Sequence, residues 1–325
     1  MAIHVDLDSH PLTNWKGPHG LPDFTRIDDA DFGPVFDAAL AAHTAEIAAI
    51  TDSSEAPSIG NTLAALELSG EALDRVSAIF WCRAGAHTNE VIQKLEREIA
   101  PKMSRHWSAI SMNEKLFARI DDLYARRDTL GLDAETLRVL EKTWKSFVRS
   151  GARLDAEGKK RLAAINEELA GLGTRFSQNL LADESSWVLL LDEKDLDGLP
   201  DFLRDAMAQA AKARGHEGRY AVTLSRSIYE PFTTYSTRRD LREQAWKAFI
   251  MRGENGGETD NGEVVRRTLE LRAEKAALLG YESYAALKLD DTMAKTPDAV
   301  HGLLNPVWEK ALAKAAADRE EMQRL

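Results

Sequence analysis

Metal-assisted hydrolysis leaves a plain trace in a sequence, because a zinc-binding helix needs two imidazoles four residues apart to present two nitrogens to one ion. The eight histidines here are His4, His10, His19, His43, His87, His106, His216 and His301, and no two of them lie three to five residues apart. His87 and Glu90 put an imidazole and a carboxylate on neighbouring positions of one helical face. We read His87 and Thr88 instead as serving a helix start or an interhelical hydrogen bond. Nucleophilic chemistry finds no better footing: G-x-S-x-G is absent, and Cys82 sits in the apolar run AIFWC with only Arg83 as a basic neighbour, which suits a buried structural thiol. GLGTRF, from Gly171 to Phe176, lacks the third glycine of a dinucleotide loop and follows a helix where a strand is needed. EKDLDGLPDFLR, from Glu193 to Arg204, carries Arg204 where a calcium loop needs a bidentate Glu, and Pro200 interrupts it. ENGG, Glu254 to Gly257, is a flexible loop unlike a phosphate cradle.

One polar constellation remains. In TYSTRRDLREQAWKAFIMRG, Arg238, Arg239 and Arg242 line a helix start, with Tyr229, Phe232 and Tyr235 just ahead. A guanidinium grips a carboxylate through two parallel hydrogen bonds, so these three arginines are the substrate-binding candidates, as contacts for a peptide carboxylate or another anion. The structural alternative is that they pair with Asp240, Glu243 and neighbouring helices. No catalytic residue and no metal ligand is assigned.

The elements that would position such groups read as helices. Val91, Leu95, Ile99, Met103, Trp107 and Ile110 recur every three or four residues, as do Leu137, Leu140, Trp144 and Phe147, and then Leu162, Ile165, Leu169, Leu172, Phe176 and Leu180. Asn113, Asp133 and Asp155 stand where helix N-caps belong, and Gly131 where a helix ends. Further on, Gly280 reads as a C-cap, Ser283 as an N-cap, and Thr296 with Pro297 as a helix start. Two short apolar runs, Trp187 to Leu191 and Arg219 to Ser225, predict a small two-stranded sheet with a helix from Pro200 to Arg214 between them. The expectation is a mainly α protein, one continuous helical lobe over residues 1–325, irregular over about residues 1–20.

With 42 Lys and Arg against 53 Asp and Glu, the formal net charge is −11, which repels nucleic acid and anionic lipid alike. The N-terminus lacks a basic stretch followed by an apolar run, no segment is apolar for the roughly 18 residues a bilayer requires, and one cysteine cannot form an intrachain disulfide. A cytoplasmic protein without nucleic-acid or membrane partners is expected.

Four segments carry a likeness that periodicity does not supply: GAHTNE (Gly85 to Glu90), LFARIDDLYARRDTLGLDAETLRVLE (Leu116 to Glu141), RLAAINEELAGLGTRFSQNLLAD (Arg161 to Asp183) and LLGYESYAALKLDDTMAKTP (Leu278 to Pro297). They resemble, in order, the zinc metallopeptidase family of bacterial dipeptidyl carboxypeptidase, oligopeptidase A and thimet oligopeptidase. The resemblance implies the N-terminal half of a two-lobed, prolate peptidase that cuts short peptides in a channel between its lobes, removing C-terminal dipeptides in the most similar type. It also implies zinc held by H-E-x-x-H and a downstream Glu in the C-terminal half. None of those residues has a counterpart here, so the chain alone is expected to bind no zinc and to be inactive. EEMQRL falls inside a helical pattern, and a longer protein continuing past Leu325 into that catalytic half is expected. The alternative is a non-catalytic helical module that binds peptides or a partner protein.

Overall fold

The computed structural model describes residues 5–324, so His4 lies outside the described residues. After turns and short 3-10 segments up to Asp31, the helices follow in order: α1 (Phe32–Thr51), a π-helical turn (Ile59–Ala64) running into α2 (Ala65–Glu67), α3 (Glu71–Ala86), α4 (Glu90–Ser111), α5 (Glu114–Ala125), α6 (Ala134–Arg149) and α7 (Ala156–Ser186). Next come β1 (Leu189–Leu191), α8 (Asp201–Ala213), β2 (Tyr220–Val222), α9 (Arg226–Tyr235), α10 (Arg239–Ile250), α11 (Gly262–Leu278), α12 (Tyr284–Leu289) and α13 (Pro297–Met322). The protein is mainly α, with one small antiparallel sheet in which Leu189 faces Val222 and Leu191 faces Tyr220. Both strands and the helix between them stand where the sequence placed them.

Local signals set the helix ends. Asn113, Asp133 and Asp155 each accept a backbone N–H three residues on, from Leu116 (3.0 Å), Thr136 (2.9 Å) and Gly158 (2.8 Å). Ser283 and Thr296 do the same for Ala286 and Ala299. Gly280, at φ +81, closes α11 as its successor Tyr281 donates back to Ala276. Gly131 serves differently: α5 ends at Ala125, and the glycine takes φ +63 in the loop ahead of α6.

The chain divides into two compact units. The first takes in the chain as far as His43, with Gly70–Ser104 and Glu167–Thr268. One core in it gathers Phe32, Phe36 and Phe80, edge to face at 5.2 and 5.4 Å, with Leu73, Val76, Ile92 and Ile99. A second core lies where Leu203 and Met207 of α8 meet Leu191, Val222 and Phe232. The second unit comprises Thr44–Ser69, Arg105–Asn166 and the chain from Leu269 onward. Its core joins Ile47, Ile50, Leu116, Ile120 and Phe147, beside a smaller cluster of Leu63, Leu123 and Leu140. The periodic stripes hold in part: in α4 Ile92 is buried while Val91 and Trp107 are exposed, and in α7 Leu162 and Ile165 are buried while Phe176 is exposed.

Candidate functional site

The arginine cluster forms where α9 hands over to α10. Arg238 is committed to carboxylates on two sides, donating from Nε and a terminal nitrogen to Asp240 at 3.0 and 2.7 Å and from its other terminal nitrogen to Asp195. The hydrogen bond from Arg238 holds the Asp240 carboxyl below its ordinary range. Arg242 turns inward and donates to the Ser236 carbonyl, closing the turn that opens the helix. Arg239 is exposed, its charge helping to lower the Glu243 carboxyl, which Lys247 binds first. Of the aromatics, Phe232 is core, and Tyr229 stacks on Phe249 at 4.0 Å, its hydroxyl pushed up by burial. Tyr235 is exposed and meets Phe202, which is exposed too, edge-on at 6.5 Å. The outward-facing chemistry here is thus one guanidinium, Arg239, on the helix that begins just beyond that aromatic pair.

A second candidate surface escaped the sequence reading. Along α3, α4 and α7 run two adjoining grooves of about 530 and 350 Å3, sharing Trp81, Glu96 and Ser177 as lining. Trp81 is 39% exposed, so an indole face is open to solvent. Gln178 ties the walls together, donating to the Gln93 carbonyl (2.9 Å) and to Glu96 (2.8 Å) while accepting from Arg97. Gly173 forms part of the floor, with no atom within 4 Å of where a Cβ would sit. The grooves combine apolar surface with Ser177 and Glu96 as hydrogen-bonding groups, a lining of the kind an extended peptide could use. The sequence signal was Ala170 and Gly173 inside a helical stripe, small residues that leave space larger ones would fill.

Cys82 is exposed, against the expectation of a buried thiol. AIFWC is apolar throughout, but α3 buries Leu73, Val76, Ile79 and Phe80, and the helical period carries Trp81 and Cys82 around to the outer side. His87 ends α3, its N–H bonded to the Arg83 carbonyl, and Asn89 caps the next helix by accepting from Ile92 at 3.0 Å. Thr88 leaves its hydroxyl without a hydrogen bond, so neither role read for the pair falls to Thr88. The ENGG loop is pinned by Asp183, which accepts from Gly253 N–H (2.6 Å), Asn255 (2.7 Å) and Thr259. Among the described residues no group of three or more His, Cys, Asp or Glu side chains gathers as a metal site. No zinc position, and no step through zinc, follows from these residues.

Residues 232–325 match the profile of peptidase family M3. Over 307 residues the chain is 34% identical to dipeptidyl carboxypeptidase of Escherichia coli and 36% identical to that of Salmonella typhimurium, covering 94% of this chain and 45% of each relative. It is 28% identical over 326 residues to a probable cytosolic oligopeptidase A of Arabidopsis thaliana, again 45% of the relative. The chain therefore spans a little under half the length of these curated relatives.

Proposed function

This chain is a relative of the peptidases of family M3, and we propose that it is the N-terminal, channel-wall lobe of a zinc-dependent peptidase that releases C-terminal dipeptides from short peptides. The observation that carries the reading is the alignment of 94% of this chain with 45% of dipeptidyl carboxypeptidase. The catalytic and zinc-binding groups belong, in this reading, to a further C-terminal half, and the chain's own residues bind and orient peptide. Short peptides are the substrate and the cytoplasm the compartment, without nucleic-acid or membrane partners; no helix of the described residues is long and apolar enough to cross a membrane. Arg239, with Tyr235 and Phe202 near the start of its helix, is the arginine free to meet substrate, while Arg238 and Arg242 hold the turn beneath it.

α13 supports the same division of labour. Leu303, Leu304, Val307, Trp308 and Leu312 recur at spacings of four along one broad side, Trp308 being 63% exposed, and no described residue of this helix is buried. An apolar side of that extent fits a surface meant to be covered. The test is product analysis with the full-length protein: dipeptides should leave a peptide with a free C-terminus and not its amide. Cleavage at internal bonds irrespective of the C-terminus would replace this reading with an oligopeptidase.

The grooves along α3, α4 and α7 favour one alternative, a peptide-binding module without catalysis. Under it, the full-length protein binds short peptides calorimetrically and leaves them uncut.

A further inference from the structure

One face of α6 is a basic ladder: Arg138, Lys142, Lys145 and Arg149 follow each other at spacings of four, three and four. Facing it, just after α12, stand two carboxylates, Asp290 and Asp291. Lys142 pairs with Asp291 at 2.7 Å and Lys145 with Asp290 at 3.2 Å, while Arg149 shares both at 3.4 and 3.6 Å. Two anions thus serve three cations, and the buried Nε of Arg149 is left without a hydrogen bond.

Beside this network lies a pocket of about 280 Å3. Arg138, Lys142, Lys145 and Lys295 line it against Glu141 and Asp291, leaving an excess of two positive charges on a protein whose net charge is −11. The two carboxylates are already engaged, Glu141 by Arg138 at 3.1 Å and Asp291 by Lys142. Lys295 has no carboxylate partner among the described residues, and its backbone is held at φ +64, a left-handed conformation a long side chain rarely takes. The opposite wall is stiff, with Tyr124 and Trp144 stacked at 4.1 Å, Arg127 over one ring and Arg153 over the other.

We propose that this pocket binds a small oxyanion, the carboxylate or phosphate group of a small molecule, with Lys295 and Arg138 closing on it from the rim. Its volume suits a phosphate or a short dicarboxylate and is far too small for a folded partner. The site takes lining residues from two segments, Leu116 to Glu141 and Leu278 to Pro297, and it stands independently of the peptidase reading.

The experiment is isothermal titration of the 325-residue chain with inorganic phosphate and, separately, with succinate, against sodium chloride of equal ionic strength. Saturable one-to-one binding of either supports the site. Phosphate alone binding marks a tetrahedral oxyanion, and binding of both marks any paired carboxylate or phosphate oxygens. Lys295→Ala should weaken binding at least about tenfold, as the loss of a charge-assisted hydrogen bond demands. Lys295→Gly should do the same with its fold intact, because glycine accepts the backbone angle, and Lys295→Arg should keep it. No heat from either anion at millimolar concentration, or unchanged affinity in Lys295→Ala and Lys295→Gly proteins that keep their circular dichroism, overturns the proposal.

Discussion

Asp183 shows how one carboxylate can organise a loop. Burial pushes its carboxyl up, but the donors from Thr259, Gly253 and Asn255 outweigh burial and hold it below the usual carboxylate range. A depressed folded pKa contributes stability that is present above the unfolded value, about 3.9, and is lost as the pH falls through the folded value. Acid titration monitored by circular dichroism should therefore show destabilisation below about pH 4 that is smaller in Asp183→Asn. At neutral pH that substitution should cost about 1–3 kcal/mol in urea unfolding, since it weakens or breaks accepted hydrogen bonds at a buried position. Gly253 is the loop's steric counterpart: at φ +74, an added Cβ meets Asn261 and Leu180 at 2.9 Å. Gly253→Ala should be destabilising by about 1–3 kcal/mol, and a neutral result in the same assay would remove the strain argument. Neither role was legible in ENGG, because the acceptor lies some seventy residues earlier in the chain.

For the elements, legibility followed range. Asn113, Asp133, Asp155, Ser283 and Thr296 act within three residues, so type and spacing sufficed to find them. Ser283→Ala should accordingly cost about 1 kcal/mol of stability, read as a lowered unfolding midpoint. Trp187 to Leu191 and Arg219 to Ser225 were legible as strands because apolar, β-branched runs between turn residues have few other uses. The Trp81 groove was not, since it exists only where α3, α4 and α7 meet, and single-chain periodicity reports which side of a helix is buried without saying what lies beside it. Gly173 tests it. With open space around its Cβ position, Gly173→Ala should stabilise the helix by about 0.5–1 kcal/mol, whereas Gly173→Trp should fill the groove and abolish peptide binding in calorimetry. Peptide affinity unchanged in Gly173→Trp would exclude the groove as a binding surface.

On the scale of the whole molecule, α13 carries the account. Its apolar side, Leu303 to Leu312, is exposed, and apolar patches of that kind promote association in water. Light scattering of the 325-residue chain should show concentration-dependent self-association, reduced by Trp308→Glu; a strict monomer at high concentration would mean that no large interface is missing. The mainly α fold was legible from length, stripes and caps, and the relationship to family M3 from the segments around Leu116 to Glu141 and Leu278 to Pro297. The chemistry was not, because no pair of histidines at metal-binding spacing stands in residues 1–325. The most direct measurement is therefore hydrolysis of a quenched peptide by this chain alone, with zinc supplied and then chelated. The account predicts no cleavage in either condition and no tightly bound zinc. Chelator-sensitive cleavage with one equivalent of zinc per chain would contradict it.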